Sequence, residues 1–167
     1  MTAAYPVPPY EPGSMRFMRI FPGEPRQVRR VRAFVAGALT GCPARESLLA
    51  CVSELAANAI THTASGAGGV FTVEVSRPAP GMALVAVTDA GGPREPAIRR
   101  TTESFDPWYL AESGRGLALV DALSSRWGYR DLDVGAGRTV WAEATWPVAV
   151  GVRPLPRHRT HLPAPSS

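Results

Sequence analysis

Residues 44–63 read ARESLLACVSELAANAITHT. Leu48, Val52, Leu55 and Ala59 recur at i, i+4, i+7 and i+11, which at about 100° per residue gathers them within about 60° of one another on a helix. Leu49, Ala56 and Ile60 widen that stripe, so the stretch is a core-facing helix. A second, polar stripe runs beside it: Glu54, Asn58 and His62 lie at i, i+4 and i+8. Asn58 is the only asparagine in the chain and sits mid-helix, where its side chain competes for backbone hydrogen bonds and has no turn to make. A carboxylate and a carboxamide stacked one turn apart suit a hard cation beside an activated hydroxyl, the amide oxygen ligating and the carboxylate accepting a proton. The same triplet also fits a solvated helix face, His62 most of all.

Outward from this helix, Gly41 and Pro43 break the chain on the N-terminal side. Before them, residues 25–39 place Val28, Val31, Arg32 and Val35 at helical spacing, and residues 15–21 (MRFMRIF) alternate large apolar residues with arginine as a strand does. On the C-terminal side Gly66, Gly68 and Gly69 close the helix. Residues 70–76 alternate, residues 78–81 turn and residues 82–88 form a second apolar strand, a hairpin. Residues 89–113 show no period, and a connection of that length in a compact domain reads as a lid. Helical spacing resumes over residues 114–122 through Leu117, Leu119 and Val120, and strands follow at 126–131 and 138–146. The order β, α, α, β, β, loop, α, β, β predicts an α+β fold: a two-layer α/β sandwich with helices on one face of a mixed, mostly antiparallel sheet. At 167 residues the chain is expected to hold one domain, residues 15–147, between proline-rich flexible tails at 1–14 and 148–167.

Composition removes whole chemistries. All 18 basic residues are arginine, so a P-loop lysine, a protein-kinase strand lysine and a Schiff-base lysine are excluded. Two cysteines, Cys42 and Cys51, and three scattered histidines cannot build a disulfide framework or a four-thiolate zinc site. Cys51 reads as core filler and Cys42 as a loop thiol. The formal charge of +4 raises nucleic acid as a partner, but the arginines cluster at residues 16–32 and in the C-terminal tail without interleaved aromatics, which speaks against direct nucleic-acid binding. No apolar run approaches membrane length and residues 1–15 carry no signal pattern, so a cytoplasmic location without membrane contact is expected.

Three further segments carry chemistry. VAVTDAGG (85–92) ends a buried strand on Asp89 and two glycines; a carboxylate held there can accept from an exocyclic amino group, though strand–Asp–Gly is also a plain turn. In ESGRGLAL (112–119), Gly114 and Gly116 open a helix whose free N–H groups can cradle phosphate without lysine. GAGRTVW (135–141) makes a tight turn and enters a strand through Arg138 and Thr139.

In this order the four pieces resemble the GHKL ATPase/kinase superfamily. Glu54-x-x-x-Asn58-x-x-x-His62 is similar to its N-box, Asp89-x-Gly91 to the first glycine box, Gly114-x-Gly116-Leu117 to the second, and Gly137-Arg138-Thr139 to the last strand. The compact form resembles the bacterial anti-sigma factor serine kinases. The resemblance implies that Glu54 is the general base toward a serine hydroxyl, that Asn58 ligates Mg²⁺, that Asp89 bonds adenine with Thr139 in support, and that Gly91 shapes the base pocket. It further implies that Gly114 and Gly116 bind phosphate, with Gly92, Arg115 and Leu117 completing the ATP contacts. ATP and Mg²⁺ are the implied cofactors. A sigma factor and a STAS-domain anti-anti-sigma protein are the implied partners, and homodimers are common in the group. Two positions depart from the pattern: Pro93 stands where the first box usually has its last glycine, and Leu119 where the second has another. Proline lacks an N–H and cannot reach positive φ. The alternative reading is therefore a non-catalytic ATP-sensing interaction module.

Overall fold

The computed structural model describes residues 14–93, 95–98, 115–132 and 137–148. The expected tails, most of the expected lid and Gly114 lie outside the described residues. The elements are β1 (Met15–Pro22), α1 (Gln27–Ala38), α2 (Arg45–His62), β2 (Val70–Arg77), β3 (Met82–Asp89), α3 (Arg115–Leu123), β4 (Arg126–Asp131) and β5 (Arg138–Thr145). Their boundaries fall within about two residues of those that periodicity sets, as expected where apolar spacing is regular.

The strands form one sheet in the order β1-β2-β3-β5-β4. Every pairing is antiparallel among the described residues, in line with the expected mostly antiparallel sheet and without the parallel pair that a mixed sheet allowed for. The physical reason lies in β5. β3 and β4 are joined through α3 and run in the same direction, so side by side they would make a parallel pair; β5 inserts between them and pairs antiparallel with both.

The three helices cover one face. Val73 and Val75 of β2, Val85 and Val87 of β3 and Ala142 of β5 meet Val31 and Val35 of α1 and Leu48, Val52, Leu55 and Ala59 of α2 in a single buried cluster. Neither end of α1 is side-chain capped at its start nor charge-matched in its first or last turn. Packing therefore holds it, partly through Phe34, whose ring lies 6.0 Å from that of Phe21 on β1. Cys51 is buried in the same cluster, and burial pushes its thiol up to about 11, so it packs as a neutral filler. Cys42 lies in the α1–α2 connection as expected, but buried rather than open.

The far face is not bare. Leu84, Ala86 and Trp141 form a second small cluster, flanked by the ion pairs Arg16–Glu74 and Arg126–Glu143, each 2.8 Å. Gly128 lies opposite Trp141 in the register, and the indole fills the space a side chain there would need. No described helix is long and apolar enough to cross a membrane. Leu55, 2% exposed at the centre of the helix face, sets a test of the packing: Leu55→Ala is expected to cost about 3 kcal/mol, read as a lower urea midpoint with an unchanged slope.

Candidate functional site

The polar stripe of α2, the end of β3, the start of α3 and the start of β5 converge at one end of the sheet. α2 packs against α3, β3 and β5. Glu54 and Asn58 are half-buried on this side, and neither side chain makes a hydrogen bond among the described residues. His62, one turn further on, is exposed. The sequence stripe thus divides into two residues turned inward and one turned out.

Gly116 sets the spacing between the helices. A Cβ built there would stand 2.7 Å from Glu54 Oε2 and 3.6 Å from Glu54 Cβ. The first turn of α3 therefore rests its bare backbone on the Glu54 carboxylate. Leu117 anchors that turn in the core, while Arg115 is exposed. Helix starts carry N–H groups without intrahelical partners and a partial positive charge, so this turn is electrostatically suited to anions. Gly114 falls just outside the described residues.

Asp89 ends β3, 8% exposed. Its Oδ1 accepts from the Gly91 N–H at 2.7 Å, while its Oδ2 has no hydrogen bond among the described residues and can take a donor. Burial pushes the Asp89 carboxyl above its ordinary range; the Gly91 N–H and the Arg138 charge pull the other way. Gly91 turns with φ +72, and Gly137, with φ +112, crosses so close that a Cβ on it would stand 2.0 Å from the Asp89 carbonyl oxygen. Both positions need glycine, one for its left-handed backbone and one also for lack of room. Gly92 lies against the end of α2, where a Cβ would come 2.8 Å from the His62 carbonyl oxygen.

Thr139 and Asp89 do not share a face. The register pairs Asp89 with Arg138 on the helix side. Thr139 pairs with Thr88 on the far side, their hydroxyls 2.8 Å apart. Arg138 is instead the β5 side chain beside Asp89. It donates to Asp131 Oδ1 at 2.6 Å and lies 5.2 Å from the Tyr129 ring centre. Glu95 pushes the Tyr129 hydroxyl above its usual range, and Ile98 packs on the main core.

Sequence reasoning missed two supports. Ser65, fully buried in the 3-10 turn after α2, accepts from the Ala90 N–H at 3.0 Å and ties the Asp89 turn to the helix end. The Thr63 hydroxyl accepts from the Ser65 N–H at 3.2 Å. A Thr-x-Ser-Gly run after a helix is a local signal for such a turn, but only the fold shows what it holds. Arg138 required the strand register.

No group of three acidic, cysteine or histidine side chains suited to a metal occurs among the described residues. A metal here would draw on the Asn58 oxygen and on oxygens of a bound nucleotide and water, the donor set Mg²⁺ accepts. The two-layer sandwich thus carries, at one end of its sheet, a buried carboxylate at a strand end, a helix-borne Glu–Asn pair and a helix start with glycine in its first turn. A family model for the histidine kinase-like ATPase domain matches residues 21–143, and the chain belongs to that family. No individual curated protein matches it.

Two substitutions test this geometry. Gly116→Ala puts a methyl group against the Glu54 carboxylate, and ATP affinity in calorimetry is expected to fall roughly tenfold or more while far-ultraviolet circular dichroism stays unchanged. Asp89→Asn removes one charge-assisted acceptor, and ATP binding is expected to weaken by roughly 10- to 100-fold. Because burial raises the Asp89 pKa, ionisation costs stability above it and nothing below the ordinary 3.8. Asp89→Asn is therefore expected to melt no lower than the parent at neutral pH, with any advantage shrinking as the solution is acidified.

Proposed function

We propose that the protein is a regulatory protein serine kinase of the anti-sigma factor type, which binds Mg-ATP, phosphorylates a serine of a STAS-domain anti-anti-sigma protein and binds a sigma factor. One observation carries the reading: the Glu54 carboxylate rests on the open first turn of α3 with no hydrogen-bond partner among the described residues. A proton acceptor is thereby held beside the place suited to a phosphate. A structural carboxylate would be expected to spend its oxygens on neighbouring donors.

In the proposed reaction the serine oxygen attacks the γ-phosphorus, its proton passes to Glu54, the bond to the β–γ bridging oxygen breaks and ADP leaves. Asn58, one turn along α2, would hold Mg²⁺, which would supply charge neutralisation at the triphosphate. Asp89 Oδ2 takes a hydrogen bond from the adenine amino group. Most of the rate comes from positioning and from N–H groups facing the phosphates, as in other phosphoryl transfers. No lysine is needed.

Pro93 favours a second reading, an ATP sensor without chemistry. It is exposed at the bend following the glycine pair, where it supplies no N–H. Incubation with labelled ATP and STAS-domain proteins separates the two, since ATP binding without transfer to any of them supports the sensor. For the kinase, Glu54→Ala is expected to keep ATP affinity within about twofold while transfer falls by roughly 100-fold or more. Asn58→Ala is expected to lose the gain in ATP affinity that magnesium confers. Transfer by Glu54→Ala at the parental rate would falsify the base assignment.

A further inference from the structure

We propose that the open edge of β1 is a docking surface for an extended, acidic segment of a partner protein, which adds to the sheet as a sixth strand. β1 stands first in the sheet order and pairs only with β2 among the described residues. It runs eight residues without a bulge, and its only proline, Pro22, is its last residue. Protein edges are normally blunted by proline, bulges or short length because a row of open N–H and C=O groups recruits other chains.

This edge also presents large apolar side chains on both faces. Phe17, 44% exposed, points to the helix side; Met18 and Ile20, 56% and 64% exposed, point to the far side, with Val70 of β2 beyond them at 56%. Residues at the same positions of an interior strand are buried, as in β3 and β5. The side chains of β1 are thus those of an inner strand that lacks one neighbour.

Charge selects the occupant. Residues 15–38 contain six arginines and one acidic residue, Glu24. Glu24 is taken by Arg26, Arg16 by Glu74, and Arg32 bonds Ser53 and the Leu49 carbonyl. Arg19 and Arg29 remain without a carboxylate among the described residues, while Arg30 shares the field of Glu24 with Arg26. Arg19 shares its face with Phe17, and α1, docked on β1 through Phe34, carries Arg29 and Arg30 exposed. A second copy of this chain would bring a β1 strand with no acid and with its Arg16 already paired to Glu74, so Arg19 would gain no carboxylate across the seam. An anionic bilayer would satisfy the arginines but leave the strand's N–H and C=O groups without partners. A peptide strand with carboxylates facing Arg19 and α1, and apolar side chains against Met18 and Ile20, satisfies both.

The inference does not depend on the nucleotide site, which lies at the ends of β3 and β5. The probe is a blocked peptide of alternating glutamate and valine, matched to β1 in length, with a lysine–valine peptide as control. Fluorescence anisotropy reads binding, and amide hydrogen exchange locates it. The glutamate peptide is expected to bind roughly tenfold or more tightly than the lysine peptide at low salt, and to slow exchange at residues 15–22. Arg19→Glu should reverse the preference, and Ile20→Lys should weaken binding while ATP affinity stays parental. The proposal is overturned if the glutamate peptide does not bind, or if protection appears elsewhere. It is equally overturned if the parent sediments as a dimer that Ile20→Lys splits, or if phosphatidylserine vesicles retain the protein in place of the peptide. Failure of the parent to bind ATP would count against the kinase reading alone.

Discussion

Two helices meet here across a single missing side chain, and the arrangement of the site follows from that contact. Because Gly116 has no Cβ, the first turn of α3 settles directly on Glu54 of α2. In a chain without lysine, backbone N–H groups and arginine are what can meet an incoming phosphate, and the start of α3 offers both, with Arg115 exposed there. Backbone N–H groups are useful only where nothing crowds them. The glycine that opens the helix start therefore also brings a carboxylate to it. A larger residue would push the Glu54 carboxylate, the free end of a flexible side chain, away from that turn.

The other end of the site rests on backbone against backbone. Gly91 and Gly137 let the turn after β3 and the entry to β5 close on each other, and Ser65 ties that turn to the end of α2. Asp89 is buried by this closure and held by one N–H with one oxygen to spare. Its environment is a compromise: burial disfavours the charge that makes it a good acceptor, while Gly91 and Arg138 restore part of it. Arg138, through Asp131 and Tyr129, links the Asp89 end of the site to β4.

The elements were legible in the sequence because their apolar spacing is regular; Leu48, Val52, Leu55 and Ala59 are buried as their period requires. Ordered motifs also put Glu54 and Gly116 in one expected site, and the two meet at the α2–α3 contact. Register was not legible. Period 2 tells which residues of a strand share a face, but the partner strand decides which face meets the site, and that placed Arg138 rather than Thr139 beside Asp89. Strand order was hidden for the same reason, because nothing local says that the last strand enters the middle of the sheet. Trp141 shows a further gap: alternation marks it as turned away from the helices, yet it is buried, and the glycine opposite it explains how the ring is seated.

The insertion of β5 between β3 and β4 bears on how the molecule is made. β4 leaves the ribosome before the strand that joins it to the sheet, and among the described residues it pairs with no other strand. Until residues 138–145 emerge, β3 keeps an open side and Tyr129 and Asp131 wait for the arginine that locks them in place. The nascent chain can assemble β1, α1, α2, β2 and β3 early, but β4 joins the sheet only once β5 has emerged and entered between it and β3.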